Sequence, residues 1–193
     1  MMKFFIALFC ASTLFSCGLD SDTEDNKIQA ILDSLKTDQA VIRLNINNKP
    51  FYADTTLFAG NGIIDEKGIK VSLKDQDFGN VIVSIEGENW NKTKPYKIEF
   101  NNGYPMGSNM GSFLVGKITD LKQNKGEGYL LSDGFFEVKY LSKDIFVVNV
   151  KGKLKQPFGD SALTPVEGYI IWKTPGYTLN EGQDFVLPFK NEK

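Results

Sequence analysis

The chain predicts an all-β fold: a single antiparallel β-sandwich, with a closed or partly open β-barrel as the alternative, preceded by a short N-terminal helix. Three observations carry this. Apolar residues recur with a period of two through most of the chain from Val41 onward, Gly, Asn, Asp and Pro punctuate the pattern at short intervals, and a helical period occurs once. Many short strands with frequent turns read as a sandwich or a barrel. With a single helical segment, no βαβ unit and no parallel pairing is expected. Alternation, in place of wholly apolar strands, means sheets with one wet face.

The helix comes first. Ile28, Ile31, Leu32 and Leu35 fall at i, i+3, i+4 and i+7, which predicts a helix over 26–36 with Asp25 or Asn26 as its cap. A helix this short is marginal alone in water, so its stripe should dock on the domain. Ile42, Leu44 and Ile46 then alternate with Arg43 and Asn45, and Asn47-Asn48-Lys49 turns into Pro50-Phe51-Tyr52-Ala53. Ile69, Val71 and Leu73 give a clean strand, followed by Val81, Val83 and Ile85 and by Tyr96, Ile98 and Phe100. Later strands are expected over 113–118, 136–140, 146–154 and 166–172, with a last one carrying Phe185, Leu187 and Phe189. Breaks are read at Asn61-Gly62, Asp65 to Gly68, Gly79-Asn80, Asn101-Asn102-Gly103, Asp133-Gly134 and Pro175-Gly176. The outward positions carry Lys70, Lys74, Glu99, Glu137, Lys139, Lys151 and Lys153, which a lipid-facing transmembrane barrel would not tolerate.

The N-terminus reads as an address. Lys3 supplies a positive charge and Phe4 to Leu14 a nearly all-apolar run too short to span a bilayer. The run ends in Leu14-Phe15-Ser16-Cys17-Gly18. This resembles the lipobox of bacterial lipoproteins: an aliphatic residue three before the cysteine, a small residue directly before it and glycine after it, with Phe15 bulkier than usual. The resemblance implies a signal peptide over 1–16, cleavage after Ser16, and diacylglycerol and acyl chains on Cys17 that anchor the chain in the outer membrane. Several acyl chains hold a protein on a membrane stably where one does not. Cys10 would leave with the signal, so neither cysteine is expected as a free thiol or a disulfide.

Residues 17–40 form the expected lipidated acidic tether with its short helix, and 41–193 the β domain. From 18 to 40, six acids oppose two lysines, a net charge of −4; the rest of the domain holds 18 acids and 19 bases. Acids soon after the cysteine resemble the export signal of small β-rich surface lipoproteins of Bacteroidota, and equally suit a charged linker. The expected location is the outer membrane, on its periplasmic side or at the cell surface.

Composition then narrows function. The 193 residues include no histidine and carry a net charge of −2. No Ser-His-Asp or Cys-His site and no His-ligated metal is possible, and the charge argues against nucleic acid. Asp65-Glu66, Asp75 with Asp77, and Glu86 with Glu88 are the carboxylate pairs, but sequence neighbours in turns do not make a cleft. Asp75 to Asn80 has the opening of a calcium loop with its glycine one position early and no flanking helices, so a turn is expected and no metal or cofactor.

Two stretches are candidates for ligand binding. Trp90, beside Asn91 in Glu88 to Tyr96, either stacks on a sugar ring or caps the core from a loop. Tyr104, in a glycine-punctuated loop over 101–112 with Met106 and Met110, either marks a binding surface or packs over the end of the domain, with packing favoured. Asp33-Ser34-Leu35, Asp54-Thr55-Thr56 and Asp160-Ser161-Ala162 resemble O-glycosylation tripeptides of Bacteroidota. The expected function is a non-catalytic binding or accessory module of the cell envelope that contacts the membrane through Cys17 and takes a polysaccharide or an envelope protein. A carboxylate-dependent hydrolase and a structural subunit of an envelope complex are the alternatives.

Overall fold

The computed structural model describes residues 20–92, 96–157, 162–180 and 188, with residues 20–24 described by their backbone. Ser16 and Cys17 lie outside the described residues, as does the strand expected at Phe185, Leu187 and Phe189. One helix, α1 (Asp20–Ser34), precedes β1 (Ala40–Ile46), β2 (Lys49–Pro50), β3 (Ala59–Asp65), β4 (Gly68–Lys74), β5 (Asn80–Glu86), β6 (Tyr96–Asn101), β7 (Tyr104–Met106), β8 (Met110–Asp120), β9 (Lys125–Leu141), β10 (Ile145–Lys155), β11 (Thr164–Lys173) and β12 (Tyr177–Asn180). The helix starts earlier than the period alone indicates. The acid-rich run that read as tether forms its N-terminal turns, where the helix dipole favours negative charge.

The strands form one sheet in the order β12-β3-β4-β5-β8-β9-β10-β11-β1-β2, with β6 on β9 and β7 on β6. Its inner faces share one core of side chains, from Ile42 and Leu44 on β1, through Val71, Val83 and Phe113, to Phe136, Val148 and Ile170. This is the sandwich-like all-β fold expected. Among the described residues no ladder closes it into a barrel, although a bridge, Ala40 with Phe58, ties its two ends (2.7 and 2.9 Å).

One pairing departs from the antiparallel expectation: β12 runs parallel to β3, Tyr177 opposite Gly62 and Asn180 opposite Asp65. The cause is the curl of the sheet. β11 and the segment leading into β3 both run antiparallel to β1, so they share a direction. After Pro175-Gly176 the chain continues the course of β11 and meets β3 parallel, with no crossover helix; Gly62 N donates to Gly176 O at 3.0 Å.

The turns repeat simple backbone chemistry. Asn47-Asn48 and Asn102-Gly103 take positive φ at both central positions, the twist that suits two-residue hairpins. Asp65 Oδ1 accepts from Lys67 N and Gly68 N, and Asp75 Oδ1 accepts from Asp77 N and Gly79 N, so these carboxylates close the β3–β4 and β4–β5 turns. Two expected breaks are not breaks. Asn61-Gly62 lies inside β3, and Asp133-Gly134 lies inside the 17-residue β9. Gly134 has φ 105°, and a Cβ there would collide with Lys151 O, so only glycine fits. At this kink β9 exchanges neighbours, β8 up to Leu130 and β6 from Gly134.

Tyr52 sits at the end of the core with its hydroxyl 2.7 Å from Asn80 O, to which it donates, and 3.0 Å from Gly116 O. Burial pushes its pKa well above the usual tyrosine range, and does the same to Tyr177.

Candidate functional site: a trough beside the docked helix

Strand alternation sends every second side chain of β1, β11, β10 and β9 to the outer face. Register then sorts these residues into rows across the sheet. The first row is Val41, Ile171 and Val147. It is apolar, and Ile28, Leu32 and Leu35 cover it. Lys173 Nζ fixes the end of α1 by donating to Leu32 O (2.7 Å), which also accepts from Leu35 N (3.2 Å), and to Leu35 O (2.8 Å). Trp172 Nε1 donates to Asp38 Oδ1 (3.0 Å), and Tyr140 Oη to Asp25 Oδ1 (2.9 Å). The expected docking of the helical stripe is what the structure has.

The next two rows are polar, each with one aromatic ring; α1 reaches the first at Tyr169, which packs against its apolar cluster beneath Lys27, and leaves the rest open. Arg43, Tyr169, Asn149, Glu137 and Lys97 align in one row; Asn45, Glu167, Lys151, Phe135 and Glu99 align in the next. Five strands at about 4.8 Å spacing give rows about 19 Å long. Between α1 and the β2–β3 connection, their stretch from β1 to β9 floors an open trough of about 650 Å³, edged by Lys27 and Asp54. A smaller hollow of about 360 Å³ adjoins it at Asn48 and Gly152. There Asp133 Oδ2 is buried with no hydrogen-bond partner, while Oδ1 accepts from Asn102 N (3.2 Å).

The electrostatics of the trough are balanced. Its lining holds Lys27, Arg43, Lys139 and Lys151 against Asp54, Glu137 and Glu167, a net of +1. Arg43 pairs with Asp54 (3.5 Å) and also donates to Asp54 O, and Lys139 pairs with Glu137 (3.2 Å). Lys27 Nζ stands 4.8 Å above the ring of half-buried Tyr169, and Lys97 Nζ 4.3 Å above that of half-buried Phe135. Partly exposed ion pairs and cation–π contacts are each worth at most about 1 kcal/mol. A ligand can therefore rearrange them at low cost.

A second hollow, about 490 Å³, lies on β8 and β9 between Phe78, Leu114 and Pro157. It carries Asp75, Asn80 and Glu127 with Lys74 and Lys117, but Asp75 Oδ1 is already taken up by the β4–β5 turn.

The residues singled out by sequence are not brought together as a site. Trp90, in a short 3-10 turn (Trp90–Lys92), is 0% exposed, donates from Nε1 to Asp65 O (3.2 Å) and lies 6.1 Å from the Tyr96 ring. The stacking role is thus corrected to core capping, because no face of the indole is open. Asn91 is half-buried beside it, its carbonyl 3.4 Å from Tyr96 Oη. Tyr104 is the opposite case. The expected loop over 101–112 is the β6–β7 hairpin and the start of β8, and Tyr104 is 75% exposed there, with Met106 and Met110 also exposed. The favoured packing role is therefore corrected: the hairpin holds these side chains away from the core.

Sequence reasoning missed the trough. Its signal is the polar half of each alternation, Arg43 and Asn45, Glu137, Asn149 and Lys151, Glu167 and Tyr169. Among the described residues no group of three or more Cys, Asp or Glu is placed to hold a metal ion, and no helix is long and apolar enough to cross a membrane. Compared with known proteins, the chain matches no family model, no curated protein and no solved structure.

Proposed function

We propose that the protein is a non-catalytic binding module of the cell envelope, held on the outer membrane by acyl chains on Cys17, with the trough as its ligand face. One observation carries the reading. α1 covers the apolar row of the outer face and, apart from Tyr169 beneath Lys27, leaves two ordered polar rows open on neighbouring strands of one sheet. Side chains on such strands hold fixed positions without a moving loop, which suits recognition. The lipobox-like Leu14-Phe15-Ser16-Cys17-Gly18 supports the anchor. Asp65 and Asp75, each spent on closing a turn, support a binding role over hydrolysis.

Fractionation tests both halves. Palmitate label enters the wild-type chain, and Cys17→Ala loses the label and leaves the membrane. The released Cys17→Ala protein still sediments with isolated envelope material, and adding Asn149→Trp, which fills the trough floor, abolishes this. Label on Cys17→Ala sinks the anchor. Released protein that never sediments with envelopes sinks the binding module.

A further inference from the structure

We infer that the trough binds a glycan chain of low net charge, with Tyr169 and Phe135 as its stacking platforms; this rests on the binding-module reading above. The two rings project from the same outer face, on β11 and β9, two strands and one row apart. Strand and residue spacings put their backbones roughly 12 Å apart, a distance that suits non-adjacent rings of one chain and not a single monosaccharide.

The polar groups between and beside the rings are of the kinds that hydroxyls need. Asn149 separates Tyr169 from Glu137 in one row, and Lys151 separates Glu167 from Phe135 in the next. Carboxylates accept, ammonium groups donate, and an amide does both. Lys27 and Lys97 stand over the two rings and swing aside for a sugar to stack.

Two other ligand classes fit less well. A strongly anionic polymer would want an excess of cations, and the lining has a net of only +1. A peptide gains most of its recognition from an open strand edge or a deep apolar pocket. The trough offers neither: its floor is open and polar, β11, β10 and β9 are paired with neighbours on both sides, and β1 is paired with β11 along its length and with β2 at Asn45 and Ile46. Aromatic faces among amides and carboxylates on a flat, balanced surface match the amphipathic faces of sugars.

The test is affinity electrophoresis of the purified full-length protein in detergent, in native gels cast with xylan, mannan, laminarin or a soluble cellulose derivative. At least one polysaccharide retards the wild type. Tyr169→Ala and Phe135→Ala each weaken that retardation at least tenfold, while Tyr169→Phe, which keeps the ring, retains it. Thermal melts confirm that the variants fold, as expected for half-buried outward positions. Retardation that both alanine variants leave intact overturns the trough as the glycan site. No retardation by any polysaccharide, with trough-dependent sedimentation on envelopes preserved, overturns the glycan and points to a protein ligand, leaving the binding module standing. No retardation and no sedimentation overturns both.

Discussion

Trp90 and Tyr104 look alike as sequence candidates and sit in opposite environments, so truncating each gives results that differ severalfold. Trp90→Ala removes a fully buried indole from beside Tyr96 and strips Asp65 O of its hydrogen bond. Large aromatic-to-alanine changes in cores cost about 3–5 kcal/mol, of which the lost hydrogen bond accounts for about 1. That is a large share of the 5–15 kcal/mol typical of a folded domain. For a chain of this length it lowers Tm by about 6–20 °C. Trp90→Phe keeps most of the ring contact and loses the donor, so about 1–2 kcal/mol is expected. Tyr104→Ala, at a side chain 75% exposed, stays within about 0.5 kcal/mol of wild type. Urea unfolding followed by near-ultraviolet circular dichroism measures all three, with an unchanged slope showing that the unfolded state is the same. A Trp90→Ala loss below about 1 kcal/mol refutes the capping role and reopens Trp90 as a surface residue.

Other consequences follow from the same contacts. Lys173→Met removes the donor to Leu32 O and Leu35 O, so amides of α1 exchange faster by a local loss of about 1–2 kcal/mol while the core strands are little changed; unaltered exchange in α1 contradicts its docking through Lys173. Gly134→Ala places a side chain at φ 105° against Lys151 O and costs about 2 kcal/mol or more in a urea titration; a neutral effect removes the argument for the kink in β9. Tyr52 and Tyr177 have folded pKa values raised by burial above the unfolded value near 10. The folded state keeps protons that the unfolded state releases, so their contribution is complete below pH 10 and is lost as pH rises above it. Tyr52→Phe flattens this alkaline decline in a pH series of unfolding midpoints; an unchanged slope contradicts the burial of its hydroxyl.

The inward half of the fold was legible because burial leaves a local mark. Ile69, Val71 and Leu73, or Ile42, Leu44 and Ile46, declare their strands and inner faces without reference to distant residues, and Ile28, Ile31, Leu32 and Leu35 declare the docked stripe. Failures came where tertiary context overrode local chemistry. Asn61-Gly62 and Asp133-Gly134 have turn composition, yet flanking ladders hold them in β3 and β9. Trp90 lies among polar neighbours, and only the 3-10 turn that folds it back toward Asp65 buries it. The trough depends on register between strands as remote as β1 and β11, which brings Arg43 opposite Tyr169 and Asn45 opposite Glu167. No local pattern encodes that pairing, so each residue reads separately as an ordinary wet position.

Everything proposed for the domain places it at a membrane, held by the cysteine ahead of α1. The most direct test is the mass of the N-terminal peptide of the mature protein purified from bacterial membranes. The account predicts a chain that begins at Cys17 and carries a diacylglycerol thioether and an acylated amine. A peptide that retains Met1 to Ser16, or an N-terminus with an unmodified Cys17, would contradict it.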